Sequence, residues 1–269
     1  MQKIGCQTYT WEMLGNRWAG KVDQILSAIS LAGYAGIEIT DKMIGPYANQ
    51  PEAFARALQT HGLELVAFAC ASPSGFTEPG ALAGDLAMAD RAIRFLGAFP
   101  GAVLSLGSAT AVTPGNIDEK FQTAAAFYNA AGERGRRAGV PVAFHPSSHH
   151  NTLLATRGDY DRIMTLTDPA IIGWVPDTGH ILRKHPDMLD TVNTHLERVR
   201  YLHLKDVDAQ GQWRILGDGI CDTKAVIDLI STAPNFTGWL VLEEESDVAA
   251  ADPSAAVARN RQTIQALIQ

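Results

Sequence analysis

Cysteine is scarce in this chain: three residues in 269, Cys6, Cys70 and Cys221, far apart and with no paired spacing. That excludes a disulfide-framed secreted scaffold and a cysteine-clustered zinc module, and it suits reduced thiols in a cytoplasmic protein. Long hydrophobic runs are missing as well. No stretch reaches the roughly 18 uncharged apolar residues that cross a bilayer, and the opening Met-Gln-Lys-Ile-Gly-Cys-Gln has no apolar signal region. The expectation is a soluble, unprocessed protein with no membrane partner. Positive charge is in deficit: 22 Lys and Arg face 29 Asp and Glu, for a net charge of -7. Nucleic-acid backbones normally require a basic stripe, so a nucleic-acid partner is not expected and a small neutral or metal-chelated substrate fits better. Low-complexity segments, charge blocks and Ser/Pro-rich linkers are absent too, so residues 1–269 read as one domain.

What is present is a regular alternation. Short strand-like runs occur at residues 4–9, 37–40, 63–69, 102–106, 140–144, 171–175, 199–204 and 239–242. Segments of helical length fall between and after them, near residues 21–32, 51–61, 80–98, 117–138, 157–167, 186–196, 222–233 and 253–267. Eight strands each followed by a helix imply crossover connections and a parallel sheet closed on itself, a single (β/α)8 TIM barrel. The punctuation agrees. Gly62, Gly139 and Gly238 stand just before strands, where helix C-caps belong, while Asp222 and Asp252-Pro253 look like helix starts. The longer strand-to-helix connections, 41–50, 70–80, 107–116, 145–156, 177–185 and 205–221, then share one face, where barrel enzymes keep their sites.

The chemistry gathers at the ends of strands five to eight. Period-two alternation places Val175 and Asp177 on one face of strand six, and Tyr201, His203 and Lys205 on one face of strand seven. If these strands are parallel neighbours, Asp177 and His203 converge. Strand eight runs Trp239-Leu-Val-Leu-Glu243-Glu244-Glu245, with Val241, Glu243 and Glu245 on one face; Glu243 is expected to point inward and Glu244 to be solvated. Strand five ends in His145-Pro-Ser-Ser-His149-His150, with Ala143 and His145 on one face. Each residue also has a plainer reading. Asp177-Thr-Gly is a good turn and N-cap sequence, a lone His203 could be a core histidine, and the histidine-rich segment could be a surface loop. Their coincidence at one barrel end favours a metal site of His145, Asp177, His203 and Glu243, a mixed N/O set suited to Mn²⁺, Co²⁺, Fe²⁺ or Zn²⁺ rather than Ca²⁺. Such an ion chelates vicinal polyol oxygens and acidifies the C–H beside a carbonyl.

Further candidates are less sharply marked. Glu38, charged within an apolar strand, is either an active-site acid or an anchor for arginines on the barrel floor. His180 and Lys205 could each hold a substrate oxygen or cap a loop. Trp11, Trp18, Phe76 and Trp213 could wall a sugar, and Gly217-Asp218-Gly219 reads as a tight turn rather than a phosphate cradle.

These residues carry a resemblance. Gly33-Tyr-Ala-Gly-Ile-Glu38, Asp177-Thr-Gly-His180, His203-Leu-Lys-Asp206, Gly217-Asp-Gly219 and Leu242-Glu243 are similar to the xylose isomerase-like barrel superfamily of sugar phosphate isomerases and epimerases, inosose dehydratases and endonuclease IV. The likeness runs from Ile4 to the last helix. It implies a divalent metal, manganese first, with Co²⁺, Zn²⁺, Fe²⁺ or Mg²⁺ as alternatives. It also implies ligands matching Asp177, His203 and Glu243. At the first ligand position this chain has His145 where the epimerase branch has a glutamate. The segment from His145 to Thr152 instead resembles the His-Pro-His loop of the inosose dehydratase-like branch, which favours elimination or one-base isomerisation.

The expected function is therefore a metal-dependent isomerase, epimerase or dehydratase of a sugar or keto-polyol, monomeric or homodimeric. Glu243, His145, His180 and Lys205 are the candidate catalytic groups, and Glu243 or a nearby histidine is the base. An endonuclease IV-like nuclease and a non-catalytic sugar-binding barrel are the alternatives. The nuclease is disfavoured by net charge and by too few ligands for three clustered ions. The rim cations Arg17, Lys42, Arg183, Lys184, Lys205 and Arg214 are scattered over several loops, so a substrate without phosphate is expected.

Overall fold

A computed structural model describes residues 2–149 and 151–268. Its main sheet has eight parallel strands: β1 (Lys3–Gln7), β2 (Gly36–Thr40), β3 (Glu64–Cys70), β4 (Val103–Leu106), β5 (Val142–Phe144), β6 (Gly173–Trp174), β7 (Leu202–Leu204) and β8 (Trp239–Leu242). They follow the order β6-β5-β4-β3-β2-β1-β8-β7, so the first and last strands of the chain pair with each other. Two isolated parallel bridges, Trp174↔Val199 and Asp177↔His203, close the remaining gap between β6 and β7. There Arg200 N–H donates to the Trp174 carbonyl and His203 N–H to the Pro176 carbonyl, both at 2.9 Å. The sheet is a closed barrel, as expected, and it leaves no open edge.

Each barrel strand is followed by a helix that covers its outer face: Val22–Leu31, Pro51–Thr60, Leu82–Leu96, Ile117–Ala138, Arg157–Leu166, Met188–Thr194, Thr223–Ile230 and Pro253–Leu267. The expected starts and stops are in place. The Asp222 and Asp252 carboxylates accept hydrogen bonds from the Ala225 and Ala255 N–H groups, each at 3.0 Å, and Gly139 ends its helix at φ 71°. No helix among the described residues is long and apolar enough to cross a membrane.

The hydrophobic residues divide into two sets. A large cluster fills the layer between strands and helices, and a smaller one (Val66, Ala67, Val103, Ala143, Val175, Tyr201, Trp239 and Val241) fills the barrel interior. The inner set fixes which residues open onto the site. Two positions beyond Ala143, Val175, Tyr201 and Val241 on the same inward face stand His145, Asp177, His203 and Glu243. Glu244 faces the other way, and here the sequence expectation fails. It is buried, accepting from Asn260 Nδ2 and from the Ser246 N–H at 2.7 Å each, because the last helix packs over that face.

Two connections hold structure that their composition did not reveal. Residues 177–185 contain a short helix, Thr178–Leu182, and residues 205–221 contain a hairpin of Asp206–Val207 with Trp213–Arg214. The turn at Gly217-Asp-Gly219 folds around the Asp206 carboxylate, which accepts from the N–H groups of Val207, Gly217, Gly219 and Cys221 at 2.9 to 3.0 Å. Those amides already hold an anion of the chain's own, so the turn is not a phosphate cradle.

Candidate metal centre

Asp177, His203 and Glu243 are fully or almost fully buried, and the His145 side chain is 14 % exposed. One ligand atom from each of the four lies within 4.8 Å of the others. The expected convergence across β6 and β7 therefore holds, with β5 and β8 contributing the flanking members. The closest pairs are His203 Nδ1 to Glu243 Oε2 at 3.0 Å, His145 Nε2 to Asp177 Oδ2 at 3.5 Å, and His203 Nδ1 to Asp177 Oδ2 at 3.7 Å.

The donor set passes a test of fit for a divalent ion. Asp177 Oδ1 caps the short helix by accepting from the His180 N–H at 2.7 Å, but Oδ2 is buried with no hydrogen-bond partner. His145 Nε2 is likewise buried and unpaired. Orphaned buried polar atoms are rare, and two on converging side chains indicate a missing shared partner. Two imidazoles with two carboxylates suit a transition-metal ion of intermediate hardness.

Electrostatics reinforce the geometry. Burial opposes ionisation of Asp177, yet His180, His145, His203 and the Lys205 ammonium hold its pKa well below the usual carboxylate range. Burial acts the same way on Glu243, and Lys205 and His203 again prevail, so it too stays ionised. Burial alone would keep His203 neutral, but Glu38, Asp177 and Glu243 raise its pKa well above the usual imidazole value. The carboxylates around His203 thus favour positive charge at this point, the same preference that would hold a cation.

Around this cluster the weaker candidates resolve. Glu38 anchors no arginine; its Oε2 sits 2.7 Å from His203 Nε2 and its Oε1 3.4 Å from Gln7 Nε2. Lys205 is fully buried, its ammonium 2.8 Å from Glu243 Oε1, in contact with Glu245 Oε1 and 4.1 Å from the Trp213 ring. His180 Nδ1 lies 3.0 Å from the Ser148 backbone N–H, which can only donate, so Nδ1 is an acceptor and Nε2 bears the proton of the neutral ring. Burial, then the Lys205 ammonium, keeps that ring neutral.

Glu245 went unassigned in the sequence, although alternation had put it on the face of Glu243. With His149 and His180 it forms a second group whose ligand atoms lie within 4.8 Å of one another. More ligand-type residues therefore converge here than the strand ends alone suggested, but the Lys205 ammonium already supplies a cation among them. His150 lies outside the described residues.

The site opens into a cavity of about 310 Å³ lined by His145, His149, His180 and Glu243 at one end. Tyr9 and Phe76 contribute aromatic wall. Of the aromatics expected there, only Phe76 lines the cavity. Trp11 is buried in the strand–helix layer, Trp18 packs at that layer's margin, and Trp213 stacks against His180, Lys205 and Arg183. The rim cations are largely engaged: Arg183 donates to Ser148 Oγ and the Gly211 carbonyl, and Arg214 pairs with Asp208.

Comparison with known proteins agrees with this architecture. The family profile described as xylose isomerase-like TIM barrel matches residues 26–267. An inosose dehydratase from Geobacillus thermodenitrificans is 27 % identical over 271 residues, covering 90 % of this chain and 88 % of the relative. A sugar phosphate isomerase/epimerase from Parabacteroides distasonis superposes with a TM-score of 0.77 at 20 % identity, covering 98 % of this chain and 94 % of that one. The IolI protein, described with a bound zinc atom, superposes with a TM-score of 0.78 at 14 % identity over 99 % of this chain and 98 % of that one.

Proposed function

The chain belongs to the xylose isomerase-like TIM barrel family, and from that premise we propose a divalent-metal-dependent enzyme that removes the proton beside the carbonyl of a keto-polyol, with loss of water as the net reaction. The observation that carries the reading is the pair of orphaned atoms, Asp177 Oδ2 and His145 Nε2, converging with His203 and Glu243 at the end of a ligand-sized cavity. The relative's name, inosose dehydratase, supports dehydration and a keto-inositol-like substrate. Manganese is the proposed ion. His145, Asp177, His203 and Glu243 would hold it, and when bound it supplies Lewis-acid polarisation of a carbonyl and chelation of an adjacent oxygen.

The remaining work falls to the chain's own groups. Glu243, ionised and lining the cavity, accepts the proton. Its pairing with Lys205 keeps it a weak base, a restraint that Glu245 limits by sharing the same ammonium. His180 hydrogen-bonds the departing hydroxyl through its Nε2–H, with Ser148 holding the ring in that tautomer. The proton taken up by Glu243 passes to that oxygen, so that water leaves and Glu243 is ionised again. The orienting donors are already engaged on the protein side, so they need little reorganisation during reaction.

The test is a screen of Mn²⁺-loaded protein against keto-inositols, free ketoses and their phosphates in D₂O. Solvent deuterium in the substrate or loss of water from a keto-inositol is expected. Absence of both with every compound would overturn the reading, and turnover confined to phosphates would overturn the neutral substrate.

A further inference from the structure

At its β1–β2 end the cavity is lined by Glu12 from the connection after β1, Thr40 at the last position of β2, and Asp41 and Lys42 just beyond it. Nothing in the proposed chemistry uses this end. Thr40 stands two residues beyond Glu38 on β2, so alternation turns it to the same interior face. It is 7 % exposed, yet its Oγ1 has no hydrogen-bond partner. Its backbone N–H, in contrast, is satisfied by Thr8 Oγ1 at 3.0 Å. Glu12 is half satisfied in the same way: Oε1 pairs with Lys42 Nζ at 2.9 Å, while Oε2 is buried and unpaired. Burial first, and Glu12 second, raise the pKa of the neighbouring Asp41, so negative charge is already crowded here.

A buried polar atom without a partner is costly, and two on residues that line one cavity are complementary to a ligand that brings hydrogen bonds. We propose that this end of the cavity is a hydroxyl-recognition subsite, in which Glu12 Oε2 accepts from one substrate hydroxyl and Thr40 Oγ1 exchanges a hydrogen bond with another, remote from the reacting carbonyl. Two carboxylates against the single ammonium of Lys42 repel a phosphate or carboxylate at this position and accept a neutral polyol. Cys70, Phe76 and Val112, elsewhere in the same wall, supply apolar surface for the C–H faces of such a ligand. The assignment rests on the keto-polyol reading and adds to it what the far end of the substrate must carry: hydroxyls and no charge.

The test is equilibrium binding rather than turnover. The probes are myo-inositol, which has hydroxyls at both ends, cyclohexane-1,2-diol, which keeps a vicinal pair for the ligand end and lacks the rest, and myo-inositol 1-phosphate. Binding is followed by calorimetry or ligand-observed NMR on the wild type, Glu12→Gln and Thr40→Val, with and without Mn²⁺, after circular dichroism has established that each variant is folded. In the wild type myo-inositol should bind at least about tenfold more tightly than the diol, one hydrogen bond's worth of discrimination. Each substitution should shrink that preference, while affinity for the diol stays put. Equal binding of the two neutral probes, binding of neither, or unchanged preference in the folded variants would overturn the subsite. So would tighter binding of the phosphate through Glu12. Because no readout here is turnover, a protein that discriminates the polyols but exchanges no proton would refute the proposed reaction and leave the subsite standing. The reverse outcome would do the opposite.

Discussion

Glu38 Oε2 lies 2.7 Å from His203 Nε2, and the other ring nitrogen, Nδ1, faces Glu243 and Asp177 at 3.0 and 3.7 Å. A carboxylate from β2 thus fixes the orientation of an imidazole on β7 and leaves Nδ1 for a metal. Such outer partners typically account for 10- to 100-fold in metal affinity. Glu38→Gln, which can still accept a hydrogen bond but carries no charge, is expected to weaken Mn²⁺ affinity by about that range while the metal-free fold survives. Metal titration and circular dichroism on one preparation check both halves.

Asp177→Asn separates the two duties of this side chain. Asparagine is as good an N-cap as aspartate, so the helix Thr178–Leu182 is expected to persist. The charge that an ion requires is lost. The variant should bind no transition metal by elemental analysis, and its melting temperature should no longer rise with added Mn²⁺.

Lys205→Met leaves Glu243 and Glu245 buried without their ammonium. Removing one partner of a buried pair costs about 3–5 kcal/mol, and that loss is expected in urea denaturation of the metal-free protein. Mn²⁺ should restore part of it by neutralising Glu243. A variant as stable as the wild type would show that the ammonium offsets little.

Much of this architecture was legible in the chain because the signals were local. Ala143 with His145, and Val241 with Glu243, announce an inward face by period two alone, and Asp222 or Asp252-Pro253 announces a helix start. The pairing of Glu38 with His203 spans 165 residues and exists only once the barrel closes. Glu244 reads as solvated until Asn260, 16 residues on, arrives from the last helix. Trp213 reads as a cavity wall until the hairpin lays it on Lys205 and His180. Long-range contacts of this kind leave no trace in spacing.

His185 sits apart from the metal ligands with both ring nitrogens buried and unpaired. Burial lowers its pKa, against the weaker opposing pull of Asp187. A folded pKa below the unfolded value near 6.5 means that protons bind preferentially to the unfolded chain. Its contribution is therefore fully present above about pH 6.5 and is lost as pH falls through that value toward the folded pKa. His185→Leu should flatten the acid side of the stability profile. The wild type should lose more stability than the variant between about pH 7.5 and pH 5.5 in denaturant melts; parallel profiles would refute the assignment.

The seam between β6 and β7 is joined by only two isolated bridges, and one of them, Asp177↔His203, pairs two of the proposed ligands. An ion held there would fasten four consecutive strands, β5 to β8, across the place where isolated bridges stand in for a continuous ladder, much as a clasp closes a hoop. Metal occupancy should then govern local opening as well as chemistry. The Arg200 and His203 amides, which donate to the Trp174 and Pro176 carbonyls across the seam, are expected to exchange with solvent deuterium much faster in the metal-free protein than in the loaded one. Amides between β1 and β2 should scarcely change. The same event that prepares the site would thereby lock the barrel shut.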